Sequence, residues 1–285
     1  MNSLESADRR SAPPIPEYEL IRLIGRGAYG EVWLARAITG VYRAVKIISR
    51  SKFSEAGPFE REFRGLKEFA AISVKEPSQL AVLHVGRNEA AGFFYYVMEL
   101  ADDVRGGGEF DPATYRPDTL ARRRAEHCRL SAAEGTAIGI ALAQALAALH
   151  SRGLVHRDIK PANIVFAGGQ PKLADIGLVA TAAGALTYVG TDGYIPPEGP
   201  GTPAADVYSL GRVLYELTTG LDLAEFPRLP SGWENYPDKV QFSHLNQVIL
   251  RAADPLRDRR YPSADQMLTD LAAVAAKESS TRNLR

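Results

Sequence analysis

LVHRDIKPANIVF, residues 154–166, sets two apolar runs, Leu154-Val155 and Ile164-Val165-Phe166, around a short stretch that carries Asp158, Lys160 and Asn163. Loops that hold polar groups between buried segments tend to carry function. An Asp here can accept or orient a hydroxyl proton, Lys160 can neutralise a transferring phosphoryl group, and Asn163 can ligate a metal ion. The competing reading is a turn of helix-capping residues, since Asp and Asn serve such turns through their own backbones.

Asp175 follows Asn163 by twelve residues. The stretch IVFAGGQPKLA between them reads as a hairpin with Gly168-Gly169 at its turn. PKLADIGLVA, residues 171–180, reads as a buried strand interrupted by that one carboxylate. A buried, unpaired carboxylate is strongly unfavourable, so Asp175 needs a partner. The hairpin brings Asp175 back to Asn163, and two oxygen ligands suit Mg²⁺, which keeps waters and shares phosphate oxygens.

Upstream lies GRGAYGEV, with Gly25, Gly27 and Gly30 ahead of Val32. Glycines at this spacing let backbone N–H groups approach phosphate oxygens. A dinucleotide turn would need a helix next, but EVWLARA alternates like a strand, so a Gly-rich hairpin over a nucleotide fits better. YRAVKII places Lys46 on an otherwise apolar strand, sharing a face with Ala44. Such an ammonium can hold phosphates and needs an anion to orient it. Glu62 is the candidate and Glu60 the runner-up; a surface lysine on an edge strand is the plain alternative.

Around these motifs the chain has two characters. Residues 18–100 alternate in strand fashion and predict an antiparallel sheet of about five strands. One helix interrupts it, opened by Pro58 and carrying Phe63, Leu66, Phe69 and Ala70 on one side. Residues 131–275 are mainly helical: a capping box at Ser131 and Glu134, a helix opened by Pro203 and stopped by Gly220, and a last helix after Ser263. DDVRGGGEFDPATYRPD, residues 102–118, reads as a loop between them. The fold class is α+β. The expected layout is a disordered tail over 1–17, a sheet lobe over 18–101, a helical lobe over 102–276 and a second tail over 277–285.

The 285 residues carry 34 Lys and Arg against 34 Asp and Glu, so no net field draws the chain to nucleic acid or membrane. Cys128 is the only cysteine, which excludes an internal disulfide and a cysteine zinc site and suggests a reducing, cytoplasmic setting. The longest apolar stretch, residues 137–149, is too short and interrupted for a membrane segment.

In this order the motifs resemble the protein kinase family, most closely the bacterial members of the eukaryotic-like (Hanks-type) serine/threonine kinases. GTDGYIPPE (190–198) is similar to the end of a kinase activation segment, ADVYSLG to the family's central helix with its buried Asp206, and DPLRDRRYPSA to the segment whose arginine, Arg260, pairs with Glu198. The resemblance spans about residues 18–275 and implies the bilobal kinase fold. It also implies ATP and Mg²⁺ as cofactors and serine or threonine hydroxyls of proteins as acceptors, with a transient dimer for autophosphorylation. By resemblance, Gly25, Gly27 and Gly30 cover the phosphates. Lys46 contacts them and pairs with Glu62. Ile24, Val32, Ala44 and Val165 line the adenine pocket, Met98 is the gatekeeper, and the backbone of Glu99 and Ala101 binds adenine. Asp158 is the catalytic aspartate, Asn163 and Asp175 hold Mg²⁺, and Lys160 with Thr191 matches the serine/threonine pattern.

Two departures stand out. Ile176 replaces the family's Phe, and is expected to be tolerated. The activation segment offers Thr181, Thr187 and Thr191 as regulatory positions and Arg157 as a phosphate partner, but no second cation. The basic run RRRAEHC, 122–128, reads as a solvated helix face or as a dock for acidic partners. A pseudokinase scaffold and a small-molecule phosphotransferase are the alternatives; the presence of Lys46, Asp158 and Asp175 argues against the first, and the GTDGYIPPE pattern against the second.

Overall fold

The computed structural model describes residues 12–27, 30–106, 110–175, 180–181 and 191–282. Ile176 and Thr187 lie outside the described residues. The chain divides into two compact units, Met1–Asp118 with Val165–Gln170, and Thr119–Ile164 with Pro171–Arg285. Residues 102–118, read as the start of the helical lobe, are thus grouped with the sheet.

The first unit is built on β1 (Tyr18–Arg26), β2 (Gly30–Ala37), β3 (Tyr42–Ser49), β4 (Val82–Asn88) and β5 (Phe93–Met98), all antiparallel, in the order β1-β2-β3-β5-β4. The period-2 pattern sends Trp33, Ala35, Val45, Ile47, Phe93, Tyr95 and Val97 to one face, where they form a buried cluster. Lys46 pairs in register with Val32 and Tyr96, and Ala44 with Met98, so these share the opposite face. Helix α1 (Ala56–Ser73) packs there, with the rings of Phe59 and Phe63 lying 4.9 and 5.2 Å from Phe94.

The expected N-terminal tail is tied down earlier than its composition suggested. Ile15 is only 5% exposed and joins the sheet's apolar cluster, with Ala12 packed beside it. A lone Ile among prolines gives no periodic signal; only the sheet face it covers reveals its role.

The second unit contains α2 (Leu120–Glu126), α3 (Ala132–His150), α4 (Pro203–Thr219), α5 (Lys239–Ala252) and α6 (Ala264–Arg282), with the short strands β6 (Leu154–Val155) and β9 (Ala180–Thr181) paired to each other. The capping box at α3 forms as its sequence dictates: Ser131 Oγ accepts from the Glu134 N–H and Glu134 accepts from the Ser131 N–H. Alone among the described helices, α3 is long and apolar enough to cross a membrane. Here Leu142, Leu146 and Leu149 are buried in the unit's core. A Cβ on Gly135 would lie 2.4 Å from Thr218, so glycine permits the close approach of α3 to α4. Thr202 caps α4, Pro203 opens it, and Gly220 ends it at φ 74°. Helix α6 runs through Arg282, so residues 277–282 continue a helix where a tail was expected; KESSTR contains adequate helix formers but no apolar period.

Between β7 (Ile164–Ala167) and β8 (Gln170–Leu173), Gly168 and Gly169 turn at φ 60° and 73°. That is the hairpin read from the sequence. β8 stops at Leu173, however, so Asp175 stands beyond the strand rather than inside it.

Candidate active site

The loop after β6 is held from below by Asp206, in the first turn of α4 and 1% exposed. One carboxylate oxygen accepts the His156 N–H at 2.8 Å and lies 2.9 Å from His150 Nε2; the other accepts the Arg157 N–H at 2.9 Å. Burial alone would push this carboxyl up. The hydrogen bond from His150 and the charges of His150 and His156 outweigh it and hold Asp206 below the usual carboxylate range. The anchor matters because Arg157 sits at φ 75°, a conformation that L-residues adopt only when their surroundings enforce it.

Above that anchor the side chains converge. Lys160 Nζ lies 2.8 Å from Asp158 Oδ2 and donates to Thr191 Oγ1 at 2.8 Å. Thr191 in turn donates to Asp158 Oδ1 at 3.0 Å. Asn163 Nδ2 donates to both the carbonyl and Oδ2 of Asp158, each at 2.8 Å. Asp158 and Asn163 are buried, so these are short bonds in a low-dielectric setting, where charge-assisted contacts are strongest. Thr191, seventeen residues from Ala174 in sequence, is thereby brought onto the catalytic loop.

Asp175 is placed by its neighbour. Ala174 donates its N–H to the Asn163 carbonyl at 2.8 Å and its carbonyl meets His156 Nε2 at 3.0 Å. Asp175 follows directly, half-buried, at φ 60°, where Asp is among the residues that tolerate a left-handed backbone. Asn163 and Asp175 are therefore adjacent segments, as the hairpin reading required.

In the sheet unit, Lys46 is 4% exposed on β3 and engaged. Of its two candidate anions, Glu60 is committed to Arg87, whose guanidinium donates to it at 2.7 and 2.8 Å. Glu62, half-buried on α1, remains. Gly27 N–H bonds the Gly30 carbonyl at 2.9 Å, closing the tip of the β1–β2 hairpin. Gly25 pairs with Val32, and half-buried Ile24 precedes it on β1. Met98 ends β5, and Glu99 is tied to Ala81, donating its N–H at 3.0 Å and accepting the Ala81 N–H at 2.8 Å. Val165 belongs to the same unit.

Helix α4 also grips the end of the activation segment. Arg260, buried, makes a two-pronged pair with Glu198 at 2.6 and 2.9 Å. Ser209 donates to the Tyr194 carbonyl at 2.8 Å, Arg212 donates to the Gly193 carbonyl at 2.9 Å, and Tyr194 donates to Glu216 at 2.5 Å. Burial and then the Glu216 carboxylate push the Tyr194 phenol far up. The sequence reading passed over Ser209, Arg212, Tyr194 and Glu216. Arg212, a cation inside the apolar run VYSLGRVLYEL, was the available signal, since such a charge must have buried partners. Of the suggested regulatory threonines, Thr181 has its backbone paired with Leu154, and Thr191 is used in the loop network. The basic run falls on α2, where Arg124 donates to the Gly220 carbonyl at 2.9 Å and so braces the end of α4.

A family model described as the protein kinase domain matches residues 18–278. The serine/threonine-protein kinase PknB of Mycolicibacterium smegmatis is 32% identical over 285 residues, covering 90% of this chain and 43% of that protein. PknA of Mycobacterium tuberculosis is 36% identical over 217 residues, covering 71% and 47%. CBL-interacting protein kinase 4 of Oryza sativa subsp. japonica is 33% identical over 252 residues, covering 84% and 50%. The chain spans about half the length of the curated relatives it matches.

Proposed function

Because the chain belongs to the protein kinase domain family, we propose that it transfers the γ-phosphoryl group of ATP to serine and threonine hydroxyls of proteins, its own among them, with Mg²⁺ required. The observation that carries this is the Thr191 hydroxyl: it donates to Asp158 and accepts from Lys160. In this reading an acceptor hydroxyl would meet the same two groups, Asp158 and Lys160.

In this reading, Asp158 orients the incoming hydroxyl and receives its proton, a role supported by its bond from Asn163 and by the Asp206 anchor beneath the neighbouring backbone. Lys160, held 2.8 Å from that carboxylate, balances charge on the phosphoryl group as it moves. Lys46 and the Gly-rich hairpin hold the remaining phosphates. There is little covalent work for the protein; positioning and charge neutralisation dominate phosphoryl transfer. The donor set fits Mg²⁺: with Asn163 Nδ2 turned to Asp158, its oxygen is the group left for a cation, and Asp175 adds a second hard oxygen. That ion would neutralise phosphate oxygens.

The test is incubation with labelled ATP and Mg²⁺, comparing wild type with Asp158→Asn and Lys46→Met. Transfer to the chain itself or to a generic protein acceptor should fall by roughly 10²–10⁴-fold in Asp158→Asn, the usual scale of a general base, and be lost in Lys46→Met. ATP binding without transfer to any acceptor would point to a scaffold instead, and transfer only to a metabolite to a small-molecule phosphotransferase.

A further inference from the structure

Helix α4 carries one cation within an apolar stretch. Arg212 is 7% exposed and is flanked by the core residues Leu210, Val213 and Leu214. Among the described residues its guanidinium forms no ion pair with a carboxylate. Its bonds go instead to two backbone carbonyls: Nε donates to Gly193 at 2.9 Å and Nη2 donates to Leu223 at 2.6 Å. Its Cζ lies 4.6 Å from the centre of the Phe226 ring and 5.9 Å from that of Tyr208.

A buried cation without a carboxylate is costly to desolvate. A Met of similar volume would fill the same space without that cost. What the guanidinium adds is a separate N–H for each of two fixed targets. Those targets touch: a Cβ on Gly193, which stands at φ 85°, would lie 2.9 Å from Leu223 Cδ1. Gly193 in turn lies two residues beyond Thr191. The Tyr194 N–H returns to the Thr191 carbonyl at 3.1 Å and closes a turn over residues 191–194. Arg212 holds the middle of that turn. Ser209 holds its end, but shares one hydroxyl proton between the Tyr194 and Ala205 carbonyls. At the start of the turn the Thr191 hydroxyl meets Asp158 and Lys160.

We propose that Arg212 is a positioning residue for Asp158, acting through Thr191. By pinning the Gly193 carbonyl it fixes the turn whose first hydroxyl orients the carboxylate. That role deepens the reading of Asp158 as the group that meets the acceptor hydroxyl, and rests on it. Small displacements of a reacting group cost rate steeply, so a loosened turn is felt at Asp158 without any contact between Arg212 and the acceptor.

The experiment is a double-mutant cycle on kcat for transfer to a generic protein acceptor, using Arg212→Met, Thr191→Val and the pair. Met keeps the volume and removes the donors; Val keeps the branched shape and removes the hydroxyl. Each rate is divided by the ADP-binding sites titrated in the same preparation, which takes out any loss of folded fraction. Expected is a fall in kcat of about tenfold for Arg212→Met when Thr191 is present, and of less than about twofold in the Thr191→Val background, with ADP affinity unchanged. A tenfold loss repeated in the Thr191→Val background overturns the path through Thr191. An unaltered kcat in Arg212→Met overturns the role altogether. Arg212→Lys, which keeps the charge but offers one ammonium for two carbonyls, gives the same comparison should Arg212→Met yield no ADP-binding protein. Wild type that binds ADP and transfers to no acceptor removes the reading of Asp158, and the role of Arg212 with it.

Discussion

The loop after β6 and the Gly-rich hairpin, both assigned to the proposed phosphoryl transfer, are built by opposite means. The loop is defined by side chains: Asp158, Lys160, Asn163 and Thr191 bond to one another, and Asp206 holds their backbone. The hairpin is defined by backbone: the pairing of Gly25 with Val32, the Gly27–Gly30 closure and the absence of side chains at its glycines. Chemistry at a proton needs titratable atoms fixed to a fraction of an ångström, whereas cradling phosphates needs N–H groups and room. The two regions should therefore fail differently when altered.

The largest effect is expected on the loop side, at Asp206. Asp206→Asn keeps the size but loses a charged acceptor shared by the buried His156 N–H and the part-buried Arg157 N–H. At about 1–3 kcal/mol for each unsatisfied group, stability should drop by roughly 3 kcal/mol. Transfer should fall as Asp158 loses its footing. The pH dependence carries the sign. The folded carboxyl is held below its usual value of 3.8, so the unfolded chain binds the proton more readily. The stabilisation is present above the unfolded value and is lost as pH falls through the lower folded one. Urea melts of both proteins should thus converge below about pH 4. A constant gap down to acid would show that Asp206 acts through shape alone.

A smaller effect separates the two functions of the hairpin glycines. A Cβ at Gly30 would lie 2.5 Å from the Ile47 carbonyl, so Gly30→Ala must push β2 from β3, at roughly 1–3 kcal/mol. At Gly25 the nearest atom would be Val32 Cβ at 3.7 Å, ordinary contact. Gly25→Ala should leave the melting temperature in place and weaken ATP binding only. Equal destabilisation by both would mean that the hairpin is a packing device first and a phosphate cradle second.

This division also explains what could be read in the chain. The loop was legible because its chemistry is written in residue types at fixed spacing, and α4 because Pro203 and Gly220 mark its ends through local backbone physics. Ile15, Ser209 and Arg212 were not, because each takes its meaning from a partner distant in sequence: the outer face of the sheet, and the Gly193-Tyr194 backbone. The position of Asp175 was read with the wrong local structure but the right neighbour. The hairpin turn is local, whereas the end of β8 at Leu173 depends on the bonds that hold Ala174 to Asn163 and His156.

The smallest effect falls at the point where the sequence left two candidates. Glu60 and Glu62 are both anions on α1 near Lys46 in sequence terms, but helical geometry separates them: residues two apart face different ways. Glu60 is solvent-facing and held by Arg87, which keeps its carboxyl below the usual range through that hydrogen bond. An exposed pair of this kind contributes little to stability. Glu60→Gln should therefore change neither transfer rate nor melting temperature measurably. Glu62→Gln, half-buried on the side of α1 that also carries Phe59 and Phe63's neighbour Leu66, should lower kcat with the fold intact. A kcat loss in Glu60→Gln equal to that in Glu62→Gln would return Glu60 to the site and make the Arg87 pair a competitor for it.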